Sequence, residues 1–140
     1  MHALIVELPQ LASTYLLIFS LGEGLQVVTR GKKVFKLDPG SYVYVGSARG
    51  RIKSRIIRHF SPRKTPFWNI DYLTIKISPA ISLALSPEYA EGYTATLLSR
   101  VFHGVKGFGA ADDPLNNTHL FHCDCDLKTL LDKLQEALAV

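Results

Sequence analysis

Gly40-Ser41-Tyr42-Val43-Tyr44-Val45-Gly46-Ser47-Ala48 runs directly into Arg49-Gly50-Arg51-Ile52-Lys53-Ser54-Arg55-Ile56-Ile57-Arg58-His59-Phe60, and the change of period between the two halves decides the fold. In the first half aromatic residues alternate with valines, the two-residue repeat of a β-strand, which places Tyr42 and Tyr44 on one face. In the second half Ile52, Ile56 and Phe60 recur every four residues, and Arg51, Arg55 and Arg58 fall within roughly 60° of one another on a helical wheel. Gly46 and Gly50 supply the tight turn between the halves, and Pro62 ends the helix. A strand therefore delivers tyrosines to the mouth of a helix that carries an arginine stripe.

Upstream, Ala3 to Leu8 has the pattern of a short strand stopped by Pro9. Thr14 to Leu21 predicts a strong strand, turned by Gly22-Glu23-Gly24 into Leu25 to Thr29. Arg30-Gly31-Lys32-Lys33 turns again into Val34 to Leu37, and Asp38-Pro39-Gly40 precedes the central strand, so an antiparallel meander is expected before the first helix. Downstream, Ser61 to Pro66 reads as a loop and Trp68 to Ile77, rich in aromatic and β-branched residues, as a strand. Ser86-Pro87-Glu88 has the signature of a helix start, and Glu91, Ala95, Leu98 and Phe102 share one stripe of that helix. A carboxylate on an apolar stripe needs a partner, either a hydrogen-bond donor or a bound cation. Ala110 to Thr118 carries no helix or strand signal, and His119 to Cys123 is strand-like. Asp126 caps a final amphipathic helix with Leu127, Leu130, Leu131, Leu134 and Leu138 on its apolar side.

A chain of 140 residues is one domain by the usual prior, and 47% hydrophobic with 20% charged residues excludes wholesale disorder. The apolar runs are strand-length, too short to span a bilayer as a helix, and no basic leader precedes a signal-type core; a cytoplasmic protein with no membrane partner is expected. Cys123 and Cys125, two positions apart, make a poor staple, so free thiols in a reducing compartment are expected. The net charge of +4 conceals an asymmetry: Pro39 to Ile70 contains Arg49, Arg51, Lys53, Arg55, Arg58, Arg63 and Lys64 and no acid, whereas the other residues carry nine basic and twelve acidic groups. Such concentration favours a polyanionic partner, against the plainer alternative of a solvated helix face.

The residues together match a known pattern. Ser13-Thr14-Tyr15, Tyr44-Val45-Gly46-Ser47-Ala48, Arg55-x-x-Arg58-His59, Trp68-Asn69-Ile70-Asp71-Tyr72-Leu73, Glu91, and Gly107-Phe108-Gly109-Ala110-Ala111-Asp112 with His119-Leu120-Phe121 make the chain resemble the small archaeal domain-of-unknown-function family of the GIY-YIG nuclease superfamily, members of which are sometimes fused to a DNA-repair glycosylase. The resemblance implies an α/β domain of the α+β type, a small and mainly antiparallel sheet flanked by helices, occupying residues 1–140 with a hairpin inserted at about 22–37. It implies an endonuclease that hydrolyses phosphodiester bonds of DNA, RNA being left open, with a role in DNA repair and one Mg2+ or Mn2+ ion per site.

By that resemblance Tyr44 assists as general base, Arg55 grips the scissile phosphate, Glu91 holds the metal, and Tyr15 supports the same site. A tyrosine titrating near 10 serves as a base at neutral pH only where positive charge lowers its pKa. His59, one helical turn after Arg55, is a candidate for positioning a phosphate or a proton. Arg49, Arg51, Lys53, Arg55, Arg58, Arg63 and Lys64 are the candidate nucleic-acid contacts. Each has a plainer reading: cross-strand packing for the tyrosines, a surface charge for Arg55, and stabilisation of a helix C-terminus for His59. Two departures stand out: Asn69 occupies a position where the family commonly has His and is restricted to hydrogen bonding, and Asp112-Asp113-Pro114 lacks the cysteines frequent there. His119, His122, Cys123 and Cys125 have the wrong spacing for a zinc knuckle, and on a strand His122 points away from its neighbours. The rival to the nuclease reading is a catalytically inactive nucleic-acid-binding module using the basic helix 49–60; a third is an interaction domain for an acidic protein.

Overall fold

The computed structural model describes residues 13–139, and the strand expected at Ala3 to Leu8 lies outside the described residues. In chain order the elements are β1 (Thr14–Leu21), β2 (Leu25–Val28), a single 3-10 turn (Arg30–Lys32), β3 (Val34–Leu37), β4 (Gly40–Ser47), α1 (Ile52–Phe60), α2 (Asn69–Thr74), β5 (Ile81–Ala84), α3 (Glu91–Ser99), β6 (His103–Gly104), β7 (Leu120–Cys123) and α4 (Leu127–Leu138). The two halves of the deciding stretch are β4 and α1. β4 pairs antiparallel with β1 along its full length, Thr14 opposite Ser47 and Leu21 opposite Gly40. β5 extends the sheet beyond β1, β7 pairs with β4, and β6 closes the far edge, giving the antiparallel order β5-β1-β4-β7-β6.

All of β1 except Ser20 is buried, because both faces of the sheet are covered. That accounts for a run that is apolar throughout instead of alternating. On one face Tyr15, Leu17 and Phe19 meet Ile52 and Ile56 of α1 and Ile70 and Leu73 of α2. On the other, Leu16, Ile18, Val43 and Val45 meet Ala95 and Leu98 of α3 and Leu130, Leu134 and Leu138 of α4. The result is a three-layer α+β fold with one antiparallel sheet between two helical layers.

Four expectations are corrected. β2 and β3 do not continue the main sheet as a meander; they form a separate two-stranded sheet whose Val27, Phe35 and Leu37 pack into the α1–α2 layer. Trp68 to Ile77 is not a strand: Asn69–Thr74 is helical, because Ile70, Leu73 and Thr74 are buried at helical spacing and Asp71 ties up N–H groups at the helix entry. The Ser86-Pro87 signature makes a turn, with Tyr89 N donating to Ser86 O, and α3 begins only at Glu91. Finally, Cys123 and Cys125 are joined in a disulfide: β7 ends at Cys123, and the bend through Asp124 brings the two Cα atoms to 5.1 Å, within bridging range. The pair therefore lends no support to a reducing compartment. Among the described residues, no helix is long and apolar enough to cross a membrane.

Candidate active site

The end of the sheet where β1 begins and β4 finishes opens into a cleft of about 420 Å³. Tyr15, Tyr44, Arg55 and Glu91 all line it, together with Trp68 and His119. They arrive from β1, β4, α1 and the first residue of α3, so four separate elements converge on one cavity.

Tyr15 sits opposite Gly46 across the β1–β4 ladder, and its ring lies against that glycine; a Cβ at Gly46 would collide with the ring. The close approach, not backbone freedom, is why the strand needs glycine there. The Tyr15 hydroxyl is 2.5 Å from His59 Nε2, both groups being buried. His59 is thus placed behind Tyr15, outside the cleft lining, and reaches the site only through that hydroxyl. Burial, helped by the positive charge of Lys64, lowers the His59 imidazole to about 4, so it is neutral at physiological pH. Its Nδ1 is buried with no hydrogen-bond partner among the described residues.

Burial also pushes both phenols well above their ordinary value, with the mutual Tyr15–Tyr44 interaction adding for Tyr15 and the Glu91 carboxylate adding for Tyr44; Arg55 offsets this only in part. The lowered pKa that a tyrosine general base needs is therefore not what this cleft provides. Both hydroxyls are neutral at pH 7.

Arg55 is held in place at the cleft wall. One Nη donates to Ser47 O at 3.2 Å, and its guanidinium carbon lies 3.8 Å from the centre of the Trp68 ring, while the side chain stays half-exposed. Arg58 is different: it pairs with the fully buried Asp71 at 2.9 Å and donates to Thr65 O at 2.8 Å, which makes it a structural tie between α1 and the α2 entry. The same Asp71 oxygen accepts from Phe67 N and Trp68 N, and these bonds with Arg58 overcome burial and hold its carboxyl below the usual range. Lys64 Nζ donates to Arg58 O at 2.7 Å, capping the end of α1. Of the seven cations, Arg49, Arg51, Lys53 and Arg63 remain exposed.

A second cluster of ionisable groups, Glu91, Asp113 and His119, lines the same cleft as Arg55. His119 Nε2 lies 2.8 Å from Asp113 Oδ2, and Nδ1 lies 3.6 Å from Glu91 Oε2. Burial alone would lower this imidazole, but the two carboxylates outweigh it and raise it above its ordinary value. Burial likewise opposes ionisation of Asp113, yet hydrogen bonds from His119, Asn116 and Leu115 N bring it down to about 2. In the sequence His119 stands out as part of the resemblance and as a metal-ligand candidate, with no role in the site, and Asp113 only as part of a departure. The usable signal is Asp113-Pro114-Leu115-Asn116, an Asx-type turn in which Asp113 Oδ1 accepts from Leu115 N and Asn116 N. His122 instead meets Pro39 O at 2.8 Å, away from the cleft, and the disulfide removes both thiolates as ligands.

The chain belongs to the family described as domain of unknown function DUF123, whose model matches residues 14–140. No curated protein and no solved structure matches the chain.

Proposed function

We propose that this DUF123 protein is a divalent-metal-dependent nuclease hydrolysing phosphodiester bonds of DNA, along the lines that its resemblance to the GIY-YIG superfamily implies. One observation carries the reading: Tyr15, Tyr44, Arg55 and Glu91, far apart in sequence, line the same cleft beside the acid-free basic segment. Arg55 is pre-positioned by Ser47 O and Trp68, so its guanidinium pairs with a phosphate without first being ordered. The Tyr44 and Tyr15 hydroxyls are neutral hydrogen-bonding groups, and Tyr44 orients the attacking water instead of deprotonating it.

Glu91 offers a hard carboxylate whose side chain is 39% exposed, and among the described residues there is no cluster of three His, Cys, Asp or Glu side chains that could hold a metal. Asp113 is already occupied by His119 and Asn116. Glu91 would be the protein carboxylate holding a Mg2+ or Mn2+ ion, hard cations that are commonly bound through one or two carboxylates and keep several waters. When bound, the cation neutralises charge developing on the phosphate and lowers the pKa of coordinated water. His119 Nδ1, 3.6 Å from Glu91 Oε2, helps to orient that carboxylate.

The test is cleavage of a panel of nucleic-acid structures with and without magnesium. Glu91→Gln should abolish cleavage and leave affinity unchanged or slightly raised, because a negative charge near phosphates is gone. Tyr44→Phe should cut turnover with little effect on binding, and Arg55→Ala should damage both. Cleavage undiminished in Glu91→Gln would overturn the assignment; binding without cleavage of any substrate would favour the inactive binding module.

A further inference from the structure

At the cleft Phe67 has no part in the scheme above, and Trp68 does no more there than brace Arg55. Phe67 is 60% exposed and Trp68 36% exposed, and both line the cavity. Their rings meet edge-to-face, with centroids 4.9 Å apart. They are not loosely held, since their backbone N–H groups donate to buried Asp71 at 2.8 and 3.0 Å. Cations surround them: Arg55 lies over Trp68, and Arg30, on the turn between β2 and β3, reaches to 5.9 Å from the Phe67 ring centre. A pair of solvent-facing rings costs hydration unless a partner covers it. Here the neighbours are guanidinium groups, and the same Arg55 that braces Trp68 is the group placed to take a phosphate.

Exposed rings interleaved with guanidinium groups match the chemistry of an unpaired nucleotide, which has a π-face for the ring and a phosphate for the arginine. A regular duplex keeps its bases stacked inside and presents only backbone and groove edges, leaving Phe67 without a partner. We infer that the cleft takes an unpaired nucleotide, its base stacked on Phe67 beside Trp68 and its phosphate paired with Arg55, so that the substrate is DNA containing a single-stranded segment. This rests on the nucleic-acid reading of the same cleft, but not on turnover.

Trp68 is the single tryptophan of the chain, so its fluorescence reports on this site alone. The full chain is titrated, in chelator to prevent cleavage, with a short oligothymidylate and with a blunt duplex of equal length. The single strand should quench Trp68 and bind about tenfold more tightly than the duplex. Phe67→Ala should lower single-strand affinity by roughly fivefold to a hundredfold, the range set by removal of one base stack, and leave duplex affinity unchanged. Phe67→Leu, which keeps apolar bulk without a π-face, should lose most of the same affinity. Equal affinity for the two probes, absence of quenching, or wild-type affinity in both variants would overturn the inference. Quenching by the single strand with no cleavage of any substrate in magnesium would leave it standing and overturn the nuclease reading. Cleavage inside blunt duplex with no single-strand preference would do the reverse.

Discussion

Acid should weaken this protein through His59 before its carboxylates titrate. His59 is fully buried on α1, hydrogen-bonded to the Tyr15 hydroxyl, and surrounded by the charges of Lys64, Asp71, Arg55 and Arg58. Burial, then Lys64, brings it from 6.5 to about 4. An unfolded chain takes up the proton near 6.5, whereas the folded one resists until about 4. Between those values the unfolded state binds more protons, so stability falls as pH falls. At about 1.36 kcal/mol per pH unit the full loss is about 3 kcal/mol, a sizeable part of the roughly 5–15 kcal/mol typical of a domain. The raised His119 acts on the other side: its contribution is complete below 6.5 and is lost as pH rises above that. Depressed Asp71 and Asp113 contribute stability that is lost only as pH falls through and below their unfolded value of 3.8. The window from 6.5 to about 4 therefore belongs chiefly to His59. Urea unfolding across it should show a falling midpoint for the wild-type protein. His59→Gln, whose amide can still meet the Tyr15 hydroxyl but cannot titrate, should give a nearly flat profile. Parallel loss of stability in both proteins would refute the reasoning.

Three further outcomes follow from packing and charge. Gly46→Ala should destabilise the fold by about 1–3 kcal/mol, because the new methyl group collides with the Tyr15 ring; Gly22→Ala, where nothing lies within 4 Å, is the control for the same denaturation measurement. Asp71→Asn should cost about 2–3 kcal/mol by unpairing Arg58 and weakening the bonds to Phe67 N and Trp68 N, read as a lower melting temperature with a shift in tryptophan emission. Replacing exposed Arg49, Arg51 and Lys53 together with glutamine should reduce the log–log salt slope of DNA binding by about 0.9 for each phosphate no longer neutralised on duplex and about 0.7 on single strands; an unchanged slope would reduce these cations to a solvated face.

What can be read from the sequence is what local chemistry controls. Thr14–Leu21 and Val34–Leu37 fall where their strand patterns put them, and Asp126 caps α4 by accepting from Thr129 N at 2.8 Å. α2 reads as a strand because its aromatic and β-branched composition favours one, while the deciding feature is a buried acid whose partners Arg58 and Phe67 come from outside the helix. β5 is short, with only partial burial, and leaves little alternation to detect. The candidate site divides the same way. Tyr15, Tyr44, Arg55 and Glu91 stand out by order and type, and they do converge. Which cations are free is not legible, because Arg58 and Lys64 are committed to Asp71 and to the end of α1. Nor is the pairing of His119 with Asp113 and Glu91, which depends on the path of the loop before β7.

The sheet order bears on biosynthesis. β4 is complete early in the chain, yet its second edge is filled by Leu120–Cys123, near the end. Until translation has passed Cys123, a strand of tyrosines and valines holds unpaired N–H and C=O groups towards solvent, a template for the same strand of another nascent copy. Local contacts form first and this distant pairing last. The risk is concentrated on the ribosome and not in the finished domain, so a slow stretch of translation between β4 and β7 would lower soluble yield without changing the stability of the molecules that complete folding.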